Sequence, residues 1–431
     1  MMISNFPEAL RPVIQQGFLA RSTEQALRSI QSFRAIADRE SISVKVGETV
    51  TKTRVGLKPT AKTPINPASN TNLDNGLTPS GYGVEQYTLG MNMHGDTMDL
   101  NVVTSQVGIV RQFVQNGIAN ANQAARTLDE LARDALYAVY LGGNTRTSGA
   151  SADAQVEVDD VRGFNVVHVN GVPTAVSPAA PMTVAFGADI RDVIGVLADA
   201  VNTSTTPGGR SGKLILGSAL DVPAGLPVVA ATAPSIIRAN ARATSADLVG
   251  GDRLTMGLLL DGKAILEGNG VPRVDGFYHC HLDNFSARQL FADADFKTLF
   301  QGATAESAAY RRGELADPFL GLRFIPSTEV PTEKRGAVTV RRPIICGQGA
   351  LVEGTFDGMA TSPIAQNAIV DVVDDIAFVT RPSLDRLAQI IAQSWYWMGG
   401  YAAPSDTTTS PTTVGTATNA AFKRAVVLEH A

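Results

Sequence analysis

The stretch TSQVGIVRQFVQNGIANANQAARTLDELARDALYAVYL, residues 104–141, reads as one long helix. Its apolar positions fall at Val107, Val110, Val114, Ile118, Ala121, Ala125, Leu128, Ala132, Ala135 and Val139, a spacing of three and four. Thr104 or Ser105 can cap its start, and Gly142-Gly143 stops it. At ~1.5 Å per residue it would span roughly 55 Å, several times the usual three turns. The stripe is made of small and β-branched residues, which suits close packing against a sheet. A coiled coil would need Leu-rich seams with charged flanks, and these are missing.

Immediately upstream the period changes. Residues 84–103 alternate, with Tyr87, Leu89, Met91 and Met93 on one face, then Met98, Leu100 and Val102. Residues 42–57 alternate too, through Ile42, Val44 and Val46. Between these two strands lies KPTAKTPINPASNTNLDNGLTPSGYG, residues 58–83, with four prolines and no Val, Phe or Trp. Such a composition cannot bury enough apolar surface to offset the entropy of ordering it. Two strands of this length make an arm roughly 50 Å long at ~3.3 Å per residue, and an isolated ribbon is marginal in water. A second copy of the chain is the economical surface for it to lie on. Further upstream, residues 8–39 place Leu10, Ile14, Phe18, Leu27, Ile30, Phe33 and Ile36 at helical spacing, which predicts one or two short helices.

Downstream the composition shifts. Residues 144–231 are rich in Gly, Ala, Thr, Pro and Val, with strands expected at 155–161, 164–169 and 213–217. A helix is expected over 189–201, with Ile190, Val193, Ile194, Leu197 and Val201 inward. Pro-rich edges at 173–181 and 223–234 mark a semi-independent β-rich insertion. Mixed α/β patterning follows, with helices expected at 234–248 and 252–268 and a strand at 276–282. Further elements are expected at 286–300, 319–327, 338–346 and 366–379. The tract PSDTTTSPTTVGTAT (404–418) has linker composition, and residues 423–429 read as a last strand with Val426 and Leu428 on one face and Val427 on the other.

The totals describe a globular chain of 431 residues, 44% hydrophobic and 18% charged, with a formal net charge of −5. There is no basic stripe of the kind a duplex-binding protein carries. No apolar run approaches the roughly 18 residues of a membrane span, and the first residues lack signal-peptide regions. Two cysteines, Cys280 and Cys346, are too few for a disulfide framework, which points to folding in a reduced cytoplasm.

Motifs that could carry chemistry are sparse. His279 and His281 share a strand face with Cys280 opposite, but lack the further spaced ligands of a zinc site. TPGGRSGKLIL (206–216) imitates a phosphate loop, yet Pro207 and Leu214 stand where Gly and Ser or Thr are required, so it reads as a turn. His94, His168 and His430 have no triad context. Asp293 and Asp295 suit a helix start, and Cys346 suits a buried position. The expectation is no catalytic residue, no cofactor-binding residue, no metal ligand and no enzyme activity.

The order of elements resembles tailed-bacteriophage major capsid proteins of the Hong Kong 97-type (Johnson) fold, in their podophage-like branch. VDGFYHCHLDNFSARQLFADADF (274–296), YRRGELADPFLGLRFIPSTEV (310–330), PIICGQGAL (343–351) and RPSLDRLAQIIAQSWYWMGGYAA (381–403) resemble segments of that family. The resemblance implies an α+β fold divided as follows: an N-terminal arm at 1–42, an extended β-arm called the E-loop at 43–103, and the spine helix of the P-domain at 104–143. The inserted β-rich domain then covers 144–231, an A-domain with P-domain strands 232–403, and a connector with a strand returning to the P-domain 404–431. It implies a self-assembling capsid of hexamers and pentamers in an icosahedral head enclosing double-stranded DNA, a virion protein made in the host cytoplasm. The implied partners are other copies of the chain, a portal, a scaffolding protein and non-specifically held DNA, with room for a decoration protein and no membrane. The scaffolding protein is expected to be separate, because about 40 residues ahead of the arm are too few for a fused one. Lys52, Lys58 and Lys62 could serve the covalent crosslinks of some members, but no acceptor or catalyst is identifiable. The alternatives are an encapsulin-type nanocompartment shell, usually much shorter, and an enzyme of unrelated fold.

Overall fold

The computed structural model describes residues 8, 10–11, 32–42, 49–55, 64, 84–102, 108–170, 172–302, 320–356, 368–383, 386–387, 389–404 and 423–431. The polar stretch 58–83 and the Thr-rich tract 404–418 therefore lie almost wholly outside the described residues, as do the helix caps proposed at Thr104 and Ser105 and most of the N-terminal helical pattern. The chain is α+β and divides into two compact units: residues 1–50, 88–133 and 351–402 form one, and residues 51–87, 134–350 and 403–431 the other.

In the first unit, a six-stranded sheet contains β1 (Ala37–Ile42), β4 (Asn92–Asn101), β19 (Leu351–Phe356), β20 (Ile369–Val373), β21 (Ile376–Arg381) and β22 (Ile390–Ala402). The last of these is the longest strand and pairs antiparallel with β4, β19 and β21. Strict alternation buries Ile391, Gln393, Trp395 and Trp397 on one face of it. Those tryptophans pack on Ala124, Ala125 and Leu128 of helix α1 (Ile109–Tyr140). Small side chains on the helix make room for large ones on the sheet, as the composition of the stripe requires. Two glycines allow a close crossing at the far end of β22: a Cβ on Gly400 would lie 1.8 Å from the Gly90 carbonyl oxygen.

The buried face of the helix is rotated from the purely apolar stripe. It runs through Phe113, Asn116, Asn120, Ala124, Leu128, Ala132, Leu136 and Tyr140. One of its polar groups is bonded across to the sheet: the Asn120 amide donates to the Gln393 carbonyl at 2.9 Å. Ala135, expected inward, is only half-buried. The helix ends at Gly143, whose φ of +78° places it in the left-handed region, with its N–H donating to the Arg162 carbonyl.

The extended segment before the helix is two elements. β2 (Thr49–Val55) pairs with β3 (Val84–Gly90) as a two-stranded ribbon. After Met91, β4 joins the sheet along the edge of β22. Part of the expected arm is thus supported within the chain. In the described end of the N-terminal pattern, Arg34–Ile36 is a single 3-10 turn and residues from Ala37 on form β1, parallel to β19; the rest of the pattern lies outside the described residues apart from 8, 10 and 11.

The second unit holds the insertion, and its strands close on themselves. The order β5 (Asn144–Arg146), β12 (Pro227–Ala230), β9 (Met182–Phe186), β10 (Asp189–Ala198), β11 (Gly212–Leu216), β6 (Gln155–Val158) is antiparallel throughout. An antiparallel bridge between Thr147 and Val158, with Ser148 and Asp159 donating to the carbonyls of Glu157 and Arg146, joins the last strand to the first. The result is a six-stranded barrel with no free edge. It has its own core, including Val156, Phe164, Val184, Phe186, Val193, Leu214 and Val228. A hairpin of β7 (Val166–Val169) and β8 (Val172–Ala175) accompanies it. The helix expected over 189–201 is wrong: this segment is β10. Of the residues expected inward only Val193 is fully buried, while Ile190, Leu197 and Val201 are exposed; a bulge between Val193 and Gly195 shifts the strand register so that Val196 also packs on the barrel core.

The remaining second-unit residues form a five-stranded sheet ordered β13 (Ile236–Arg238), β23 (Ala425–Glu429), β18 (Ile344–Cys346), β14 (Tyr278–Leu282), β15 (Leu322–Pro326). Helices α2 (Met256–Gly268), α3 (Asn284–Ala292) and α4 (Ala294–Gly302) and the hairpin β16 (Thr332–Arg335) with β17 (Val338–Arg341) accompany it. A helix over 234–248 does not form: Asn240 and Ala241 have positive φ, leaving only short 3-10 turns. The last strand also needs a correction. It does not return to the sheet beside α1 but sits between β13 and β18 in the sheet of the 276–282 strand. All five of its residues are buried, so it needs a central slot with both faces covered. Val426 and Leu428 do share a core with α2 residues, while Val427 belongs to the other face.

Candidate functional site

The residues weighed for chemistry take structural positions. His279, Cys280 and His281 all lie buried in β14. Burial pushes the Cys280 thiol up to about 12, and pushes Cys346 up as well. Burial, with His279 adding to it, pushes His281 down to about 3. Neither thiolate nor imidazolium is therefore available near neutral pH. Among the described residues no three His, Cys, Asp or Glu side chains gather as metal ligands. The phosphate-loop mimic is a turn built round protein carboxylates. Asp159 accepts from the Thr205 N–H and the Thr205 and Thr206 hydroxyls, and Asp160 binds Arg162 at 2.7 Å. Asp293 caps: its carboxylate accepts from the Met256 N–H at 2.7 Å and its carbonyl from the Lys297 N–H. His168 contacts the Gln86 carbonyl through Nε2 at 3.1 Å, and His94 stacks on Trp397.

One constellation had no signal in the sequence. Asp283, Ser286 and His430 meet in the second unit, with Ser286 Oγ 2.8 Å from His430 Nε2 and hydrogen-bonded to Asp283. These are the residue types of a nucleophilic triad, but the order is wrong. Ser286 stands between the other two, and its single proton goes to Asp283, whose other oxygen binds Arg341 at 2.6 Å. Asp283 is also the N-cap of α3, accepting from the Phe285 N–H. Ser286 and His430 are fully buried. The cluster ties the chain's last residues to a helix start.

Two buried charge clusters hold distant parts of the chain. In the first unit Asp129 Oδ1 accepts from the backbone N–H groups of Ser32, Phe33 and Arg34, each within 3.0 Å. The Arg34 guanidinium, wholly buried, binds Glu353 and Asp374, both at 2.7 Å. In the second unit Arg342 binds Glu333 and Glu429, and Glu429 also binds Arg238. Arg146 of the barrel reaches Glu333 at 3.7 Å and Asp159 at 3.6 Å. This relay couples the barrel to the five-stranded sheet.

What remains exposed is extended backbone and apolar surface. The described β2 residues are exposed or half-exposed, and β4 is exposed along nearly its whole length. Met93 stands 67% exposed on it. At the base of the ribbon Leu89 and Met91 meet Val50, Phe356 and Ala402. Unpaired strand edges with apolar side chains are templates for another chain.

Solved structures similar to the chain include the capsid of cyanophage P-SCSP1u, at 13% identity and a TM-score of 0.47, covering 93% of this chain and 88% of that one. The capsid of Ralstonia phage GP4 is similar at 11% identity and a TM-score of 0.49, covering 93% and 88%. The cyanophage Pam1 capsid asymmetric unit is similar at 10% identity and a TM-score of 0.49, covering 92% and 88%. All three are phage capsids. No family model and no curated protein matches the chain.

Proposed function

We propose that the chain is a major capsid protein of Hong Kong 97-type fold, whose copies form the hexamers and pentamers of an icosahedral phage head enclosing double-stranded DNA. The observation that carries this is the order and pairing of its elements. An exposed ribbon leads to a 32-residue helix laid on a sheet, then to a separate mixed sheet, and both arrive in the order that the family resemblance implies. Residues 43–103 act as the E-loop, with β2 and β3 lying on neighbouring copies. Helix α1 and the six-stranded sheet act as the P-domain, and the five-stranded sheet as the core of the A-domain. The barrel is an inserted domain facing outward or across a subunit boundary. Scaffolding comes from a separate protein, a portal fills one vertex, and the role is structural rather than catalytic.

Electron micrographs and sedimentation of the purified chain, alone and with its scaffolding partner, test this. Closed shells built of five- and six-membered clusters are expected. A small soluble oligomer of fixed size, or a shell around a cargo enzyme, would overturn it. With a net charge of −5, subunits should bind duplex DNA only weakly at physiological salt. Tight duplex binding there would contradict the reading of DNA as a passively held content.

A further inference from the structure

Two surfaces of the second unit are complementary and lie on different elements of the same chain. The first is an open groove of about 390 Å³ whose lining includes Arg253, Phe285, Arg288, Val338 and Arg341. Arg341 is committed to Asp283 and to the Phe285 ring, 4.2 Å from its centroid. Arg253 and Arg288 are exposed and have no ion pair or side-chain hydrogen bond among the described residues. Phe285 is 57% exposed beside them. Unpaired arginines next to an exposed aromatic ring are the composition of protein contact surfaces.

The second surface is the outer side of β10 and the residues after it. Because Val193 and Val196 point into the barrel, the bulge leaves Ile190, Asp192, Leu197 and Asp199 on the outer side. Ile190, Leu197 and the following Val201 are 63%, 51% and 74% exposed. The Asp192 carboxylate accepts from the Thr183 hydroxyl, the Asp199 carbonyl accepts from the Arg210 guanidinium at 2.6 Å, and neither carboxylate has an ion pair among the described residues. The neighbouring Lys213 is already paired with Glu157 at 3.0 Å. Two carboxylates without ion pairs among exposed aliphatic groups thus match two guanidinium groups without ion pairs around an exposed ring.

We infer that the β10 ridge of one copy docks in the Arg253–Arg288 groove of the next. The occupant is a second copy of this chain, an assignment that rests on the self-assembly reading above. The net negative charge of the chain and the presence of just two unpaired arginines in the groove favour carboxylates over a nucleic-acid backbone, which needs many phosphate contacts. A contact between two different patches is heterologous, so each copy gives its ridge to one neighbour and its groove to another. Repeated, it closes into rings when the rotation allows, as capsomers require.

Charge reversal gives a two-way test by sedimentation and light scattering. R253D/R288D and D192R/D199R should each weaken association on the order of 100-fold at low salt, because like charges face each other. Mixed in equal amounts, the two variants should recover most of the wild-type association, since in an alternating six-membered ring every groove then meets an opposite ridge. The recovery also shows that both variants are folded. Wild-type assembly that neither double variant disturbs, or variants that stay apart when mixed, would overturn the contact while leaving the capsid reading intact. A wild-type chain that remains monomeric under all conditions would overturn both. Association of the wild-type chain with a 20-mer oligothymidylate, lost in R253D/R288D but with self-association unchanged, would assign the groove to nucleic acid instead.

Discussion

Arg34 shows how much one side chain can decide. It lies fully buried with Glu353, 319 residues away, and contributes to holding the start of β1 beside β19. Replacing it with Met leaves the buried Glu353 carboxylate with only its longer contact to Arg39 at 3.5 Å, which should cost up to about 3–5 kcal/mol in urea unfolding. Arg34→Met combined with Glu353→Leu should recover much of that loss, because no lone charge remains. Protonation acts at the same scale. His281 and His430 are pushed by burial to about 3 and about 4, the latter against the pull of Asp283. Unfolded, each returns to about 6.5. The stability from keeping them neutral is thus complete above about pH 6.5 and is lost as pH falls, by at most about 1.4 kcal/mol per pH unit for each. Glu429 adds to this below about pH 4, because Arg342 and Arg238 outweigh burial and hold its carboxyl below its ordinary value. Unfolding midpoints measured at pH 7.5, 6 and 5 should fall in that order, and His430→Gln should flatten the slope. Equal midpoints would contradict the buried neutral histidines.

At the scale of elements, the barrel formed by residues 144–230 has both its own core and a closed hydrogen-bond circuit. A closed barrel leaves no edge unsatisfied, so residues 143–231 made alone should be soluble, rich in strand and cooperative in thermal unfolding. A molten or aggregated fragment would show that the Arg146–Glu333 link and its neighbours are needed for folding. Helix α1 behaves differently. Its inner side meets Trp395 and Trp397, so Trp397→Ala should lose about 3–5 kcal/mol through the cavity left against Ala124, Ala125 and Leu128.

For the whole molecule, the two chain segments most exposed to deletion should fail in different ways. Truncation after Ala403 removes β23 from between β13 and β18, stripping Val426 and Leu428 from the core of the second unit. The expected product is insoluble or unfolded, read by circular dichroism. Deleting residues 59–81 touches no described core residue and should leave a soluble subunit that assembles poorly. Normal, stable shells from the second deletion would remove the intersubunit role of the arm.

The long helix, the strand character of residues 84–101 and 278–282 and the β-rich character of residues 144–231 were all legible in the sequence. Each depends on composition or on a period repeated within a few residues, and such patterns act locally. Tertiary structure decided the rest. Asn116, Asn120 and Asp129 lie inward on α1, a placement no apolar period announces; Asn120 and Asp129 find partners in Gln393 and residues 32–34. β10 is a strand because its neighbours β9 and β11 supply hydrogen bonds, although its apolar residues fall at helical spacing. Ser286 and His430 meet across 144 residues, and β23 joins the sheet that has a vacant central slot rather than the one beside α1. In each case the deciding partner is remote along the chain, and a local pattern carries no information about which remote group will satisfy a buried polar atom or pair with a strand edge.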